Sequence, residues 1–215
     1  MAKLKKLIIA CDGEAASGKS TGAKMISKKY KLLLINSGLI YRYSSKLIIE
    51  NNLQNFIPFL KKKLKKVSYK YIAKQKLHSE DISNHVGVLA KNKKVRDIIN
   101  KIQMKIIRSN NRICVEGRDI ASKILAKKPK YDVAFYFKCN SDVASHRRWL
   151  DLKKSVPITE VKKSLNKRTN LDKKRKYSPL IKVKDAVLIR TDKLSKKQVL
   201  TKMSKYIDMI KKNKY

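Results

Sequence analysis

Short apolar runs punctuate the chain at Leu7–Cys11, Leu32–Ile35, Ile113–Val115, Val133–Phe137 and Ala186–Ile189. Helical spacing of apolar positions follows each, over Lys19–Lys29, Ile40–Ile49, Ile120–Leu125, Asp142–Leu152 and Lys196–Ile210. Continuous apolar strands alternating with helices predict an α/β fold, a parallel sheet buried on both faces by helices. Two regions break the alternation. In 51–108 the pattern predicts helices over Gln54–Val67, Glu80–Ala90 and Lys94–Ile107, with a short strand at Tyr69–Ile72. In 151–184 core-forming runs are almost absent and Lys and Arg are dense, which predicts a mobile segment. Both read as insertions on one domain whose core is 1–50, 109–150 and 185–215.

Composition narrows the class. With 215 residues, 42% of them hydrophobic and 33% charged, the chain can bury a core without staples. Cys11, Cys114 and Cys139 lack metal-ligand spacing and sit in or at the end of apolar runs, so buried thiols in a reducing compartment are expected. No apolar run is long enough to span a bilayer, and Leu7–Ala10 is too short for a signal-peptide core after the basic Met1–Lys6. A soluble, cytoplasmic protein, monomeric and without a membrane partner, is the expectation. The net charge of +39 attracts polyanions, but 45 of the 55 basic residues are lysines spread along the whole chain. That pattern supports weak, salt-sensitive nucleic-acid binding rather than a specific interface, which clusters arginine with aromatic residues.

The chemistry enters at Gly13-Glu14-Ala15-Ala16-Ser17-Gly18-Lys19-Ser20, followed by Thr21, which fits G-x-x-x-x-G-K-[ST] between an apolar strand and a helix. Glycines let backbone N–H groups wrap a phosphate at a helix N-terminus. In such a loop Lys19 reaches the β- and γ-phosphates and the Ser20 hydroxyl sits on Mg²⁺, so ATP with Mg²⁺ is implied. Against so much lysine, arginine is informative, because its planar fork grips phosphate or carboxylate in a way lysine cannot. Arg42, Arg96, Arg118, Arg147, Arg148, Arg168 and Arg175 are the candidates, whereas Arg108, Arg112 and Arg190 read as surface charge. His78, His85 and His146 form no catalytic constellation and read as surface or packing residues.

The chain resembles the bacterial cytidylate (CMP/dCMP) kinases of the P-loop nucleoside monophosphate kinase group. The resemblance rests on the cradle Asp12–Thr21, Asn36-Ser37-Gly38-Leu39-Ile40-Tyr41-Arg42, Glu116-Gly117-Arg118-Asp119-Ile120, His146-Arg147-Arg148, the stretch from Arg168 through Asp172 to Arg175, and Ser178-Pro179-Leu180 leading to Lys184-Asp185-Ala186. It implies a P-loop three-layer α/β/α core with an acceptor-binding insert near 51–108 and a short lid near 151–184. It also implies transfer of the γ-phosphoryl group of ATP to CMP or dCMP. By position, Ser37 and Arg42 hold the CMP phosphate with Arg118, Arg96 and Asp119 read cytosine, and Arg168 and Asp172 lie at the ribose. Arg175 comes near the phosphates in transfer, Arg147 and Arg148 flank the lid over ATP, and Gly87 stands where a base-contacting serine is expected.

Further departures are Ala16 for glycine, Asn36 for aspartate, Thr169 where an aspartate often follows the lid arginine, and Ala144 for arginine. Glu14 adds a negative charge beside the phosphates and is expected to point outward. Two alternatives stand beside CMP phosphorylation. One is a P-loop kinase for another small acceptor, such as UMP, dTMP or shikimate. The other is a nucleic-acid-associated P-loop ATPase, suggested by the charge.

Overall fold

The computed structural model describes residues 6–214; Met1–Lys5 of the basic leading stretch and Tyr215 lie outside it. All five apolar runs form strands: β1 (Leu7–Gly13), β2 (Leu33–Asn36), β3 (Arg112–Gly117), β4 (Val133–Lys138) and β5 (Val187–Arg190). They build one all-parallel sheet in the order β2-β3-β1-β4-β5. β1 is central, paired with β3 (Asp12 opposite Gly117) and with β4 (Gly13 opposite Phe137), and all seven of its residues are buried. A continuous apolar run suits a strand covered on both faces, which is why it lacks alternation.

The chain divides into two compact units, residues 1–34 with 111–215, and residues 35–110. In the first, α1 (Lys19–Lys29) and α9 (Lys196–Lys214) contribute Ala23, Ile26, Met203 and Ile207 to a core with Phe135 and Phe137. Gly22 is required on α1, because a Cβ there would come within 2.6 Å of the Phe137 ring. α7 (Ser141–Asp151) follows β4, and α8 (Ile158–Lys174) packs on it. Within the stretch expected to be mobile, Ile158–Lys174 form one continuous helix, of which Val161 is buried. Cys11, Cys114 and Cys139 are buried free thiols.

The second unit is helical throughout: α2 (Ser37–Glu50), α3 (Phe56–Lys66), α4 (Tyr69–Ala73), α5 (Glu80–Leu89) and α6 (Lys93–Arg108). It begins at Ile35 rather than near residue 51, because α2 gives Ile40, Tyr41, Tyr43 and Ile48 to its core beside Leu60, Leu64 and Ile99. The strand expected at Tyr69–Ile72 is α4. The Ser68 hydroxyl caps it by accepting the Tyr71 N–H at 3.2 Å, and this local bond overrides the β preference of the tyrosines. No described helix is long and apolar enough to cross a membrane.

Candidate functional site

The cradle leaves the buried end of β1 and is held by side chains at three of its carbonyls. Arg118 Nη1 donates to the carbonyls of Gly13 and Glu14, the latter at 2.8 Å, and Thr191 Oγ1 donates to that of Ser17 at 2.9 Å. Arg147, on α7, donates in turn to the Thr191 carbonyl (2.8 Å) and hydroxyl (3.3 Å), so it braces the loop after β5 behind the cradle. Gly13 passes so close to β4 that a Cβ would lie 2.4 Å from the Phe137 carbonyl oxygen, and Gly18 starts α1 at φ 78°. Side chains fix the loop before any phosphate arrives, the preorganisation that electrostatic catalysis needs.

Ala16 takes φ 52°, a left-handed conformation that costs an L-residue about 1–2 kcal/mol. Ala16→Gly is accordingly expected to stabilise the protein, by up to ~1 kcal/mol after the entropy of the added glycine, readable as a raised urea midpoint with unchanged m.

Lys19 opens α1 as a buried side chain. Burial pushes its pKa down, Glu116 opposes that shift, and the Arg118 and Arg168 cations add to it. Three cations thus share one place where an anion would be welcome. Ser20 Oγ donates to Glu116 Oε1 at 2.9 Å, while the other carboxylate oxygen of Glu116, a residue only 3% exposed, has no hydrogen-bond partner among the described residues. A buried carboxylate with one unengaged oxygen, bonded to a hydroxyl, is a hard-oxygen donor set suited to Mg²⁺. The motif points to Ser20 for a metal and is silent on Glu116, a carboxylate that closes an apolar strand.

A guanidinium–carboxylate chain runs beside the cradle. Arg118 Nε meets Asp172 Oδ2 at 2.9 Å, Arg175 Nη1 meets Asp172 Oδ1 at 3.2 Å, and Arg175 Nη2 lies 3.6 Å from Asp119. Asp172, Arg175 and the half-buried Arg168 come from the α8 end, Arg118 and Asp119 from the turn after β3, so the first unit brings together five of the residues singled out from sequence. That turn, Ile120–Ile124, is wider than the α-helix expected there, with the Leu125 N–H bonded to the Ile120 carbonyl at 2.7 Å.

Two expectations need correction. The Glu14 side chain, 12% exposed, does not point into solvent; it pairs with Lys173 of α8 at 2.7 Å, which neutralises its charge locally. Arg112 is not loose surface charge, for its Nη2 donates to the Tyr30 carbonyl at the end of α1. Arg190 is exposed, as surface charge should be, and pairs with Asp192 at 3.7 Å. Arg148 is half-buried on α7, and Thr21 is exposed on α1.

The second unit carries its own polar set. Ser37 donates to Gln103 Oε1 at 2.6 Å, both residues buried, which fixes the hydroxyl and leaves its lone pairs for another donor. Arg42 is steered by the Leu77 carbonyl (2.9 Å) and Ser83 Oγ (2.8 Å). Arg96, 3% exposed, donates to the Ala90 carbonyl at 3.2 Å and lies 5.7 Å from the Tyr41 ring centroid, a cation–π contact. Gly87 is exposed on α5, and a Cβ there would meet nothing within 4 Å. Gln103 and Ser83 escaped the sequence reading because neutral hydrogen-bonding side chains carry no spacing signal. His78 is exposed and His146 leans on Trp149 at 5.9 Å between ring centroids, as a surface or packing role requires.

Comparison with known proteins follows the same lines. The family model described as cytidylate kinase matches residues 9–209. A cytidylate kinase of Fusobacterium nucleatum is 34% identical over 220 residues, covering 95% of this chain and 99% of its own. Among solved structures, an uncharacterized protein from Eubacterium ventriosum superposes with TM-score 0.59 at 17% identity, over 95% of this chain and 99% of its own. A shikimate kinase from Bacteroides thetaiotaomicron reaches 0.50 at 8% identity, over 94% and 98%. At such identities the two structures speak to the fold alone.

Proposed function

The chain belongs to the cytidylate kinase family and transfers the γ-phosphoryl group of ATP to CMP, and we propose that the residues set out above divide this work between donor and acceptor. The observation that carries the donor assignment is the buried Lys19 among Arg118 and Arg168, a cationic focus at the foot of a loop already held by side chains. Lys19 bridges the β- and γ-phosphates, and Arg118 and Arg175 meet the charge that spreads over the equatorial oxygens during transfer. Residues Gly13 to Thr21 cradle the donor phosphates, while Arg147 and Arg148 lie on its nucleoside side. Ser20 and Glu116 are the residues that would hold Mg²⁺, directly or through water. Bound there, Mg²⁺ would supply charge neutralisation for the donor phosphates. The attacking group is a phosphate oxygen of CMP, already anionic, so the mechanism asks for no general base.

Within the second unit, Ser37 and Arg42 bind the acceptor phosphate and Arg96 reads its base; within the first, Asp119 accepts from the cytosine amino group. A serine at Gly87 would add a further hydroxyl at that base. Arg168 and Asp172 serve the ribose. Arg118 and Arg175 hold Asp172 in place for that contact, and dCMP stands beside CMP as a second acceptor. The segment around α8 acts as the lid: bound nucleotides supply the anions that its cations otherwise find in Asp119, Asp172 and Glu14.

Two kinetic results test this division. Arg42→Ala is expected to raise KM for CMP by ~10-fold or more with KM for ATP changed less than about threefold, since it removes a charge-assisted contact from the acceptor alone. An equal rise in both constants would contradict the assignment. Glu116→Gln is expected to raise the Mg²⁺ concentration giving half-maximal rate by ~10-fold, because an amide oxygen is a weaker donor than a carboxylate. An unchanged Mg²⁺ requirement would exclude Glu116 from the metal.

A further inference from the structure

Asp12 is a buried carboxylate, 2% exposed, that the mechanism above does not use. Its Oδ1 accepts the Ile120 N–H at 2.8 Å and its Oδ2 accepts the Ala121 N–H at 2.8 Å. These are the leading donors of the wide turn, whose own preceding residue, Asp119, makes no side-chain cap. One residue further along each strand the exchange is reciprocated, for Arg118 donates to the Gly13 and Glu14 carbonyls. Asp12 faces Gly117 across the β1–β3 pair, so the two loops leave the sheet side by side, each holding the other's backbone with one side chain.

We propose that Asp12 is a positioning residue, which locks the Arg118–Asp119 turn to the phosphate cradle and so governs acceptor selection without touching nucleotide. The inference rests on the reading that Asp119 meets the acceptor base. Only a carboxylate can do this with both oxygens: an amide would accept one N–H and present its own N–H₂ to the other. The arrangement carries a cost, since burial raises the Asp12 pKa to about 6 despite the two N–H bonds, with nearby Asp119 raising it and Lys19 lowering it. A charge kept in that setting must satisfy both turn donors, and the turn's geometry then depends on it. Misplacement of a reacting or recognising group by a fraction of its hydrogen-bond length is enough to cost ten- to a hundredfold.

The test is Asp12→Asn, assayed with CMP and UMP and followed by amide hydrogen exchange, beside Asp119→Ala. The expected result is a folded protein in which kcat/KM for CMP falls ~10–100-fold and the CMP/UMP ratio falls by about tenfold or more, with KM for ATP changed less than about threefold. Exchange across 118–124 accelerates at least ~10-fold while α9 is unaffected. A proportional loss for both acceptors, where Asp119→Ala does abolish the ratio, would leave Asp12 a merely structural residue and overturn the proposal. Should Asp119→Ala keep the ratio, the base-reading assignment fails on its own, and the inference fails with it as a statement about selection. Slow exchange of 118–124 in Asp12→Asn would overturn the lock itself in either case. If that variant does not fold, wild-type exchange decides: protected Ile120 and Ala121 amides sustain the lock and freely exchanging ones overturn it.

Discussion

Lys19→Ala is expected to lower kcat by at least ~10²–10³-fold while leaving the fold in place. The side chain is buried at the start of α1 with burial and two neighbouring arginines pressing on its charge, so its ammonium is an electrostatic device rather than a packing element. Removing it takes away a cation aimed at charge that develops during transfer, and water cannot replace a donor held in a site that excludes it. The fold survives because Arg118 and Thr191, not Lys19, hold the carbonyls of the cradle. Steady-state kinetics with circular dichroism checks both halves. Near-normal turnover in a folded variant would mean that Gly13–Ser20 does not carry the donor phosphates.

The second large effect concerns base choice. Asp119→Ala is expected to collapse the preference for CMP over UMP to within about tenfold of unity, read as the ratio of kcat/KM values. A carboxylate accepts from the cytosine amino group, whereas uracil sets an oxygen against it, a repulsion of the kind that discriminates most strongly. The loss should be selective, since Arg175 keeps its contact with Asp172 at 3.2 Å when its longer contact with Asp119 is deleted. Equal damage to both acceptors would remove Asp119 from the base.

The legible and illegible parts of this chain separate by physical cause. The central strands were readable because a strand buried on both faces must be continuously apolar, as β1 is, and the partly exposed β2 and β5 each lie within one residue of the run that announced them. α1 begins and ends where its spacing said, at Lys19 and Lys29. α4 was misread because a single Ser68 cap outweighs the β preference of Tyr69 and Tyr71. The direction of Glu14 was misread because nothing local in the cradle reveals a lysine 159 positions away on α8. Arg112 was discounted for a related reason: its acceptor is a backbone carbonyl, and carbonyls have no sequence signature. Asp12 and Glu116 were in plain view as carboxylates ending apolar strands, yet their roles depend on a strand register that pairs Asp12 with Gly117 and Cys11 with Glu116. Motifs named the residues that a phosphate would meet; register and loop packing name those that hold them.

The central claim, that this chain phosphorylates CMP with ATP, is tested most directly by presenting the purified protein with ATP, Mg²⁺ and each of CMP, dCMP, UMP, dTMP and AMP in turn, and measuring ADP release. The account predicts rapid release with CMP, release with dCMP, and values of kcat/KM for the other acceptors lower by at least an order of magnitude. Equal or faster release with UMP, or release that no acceptor stimulates, would contradict it.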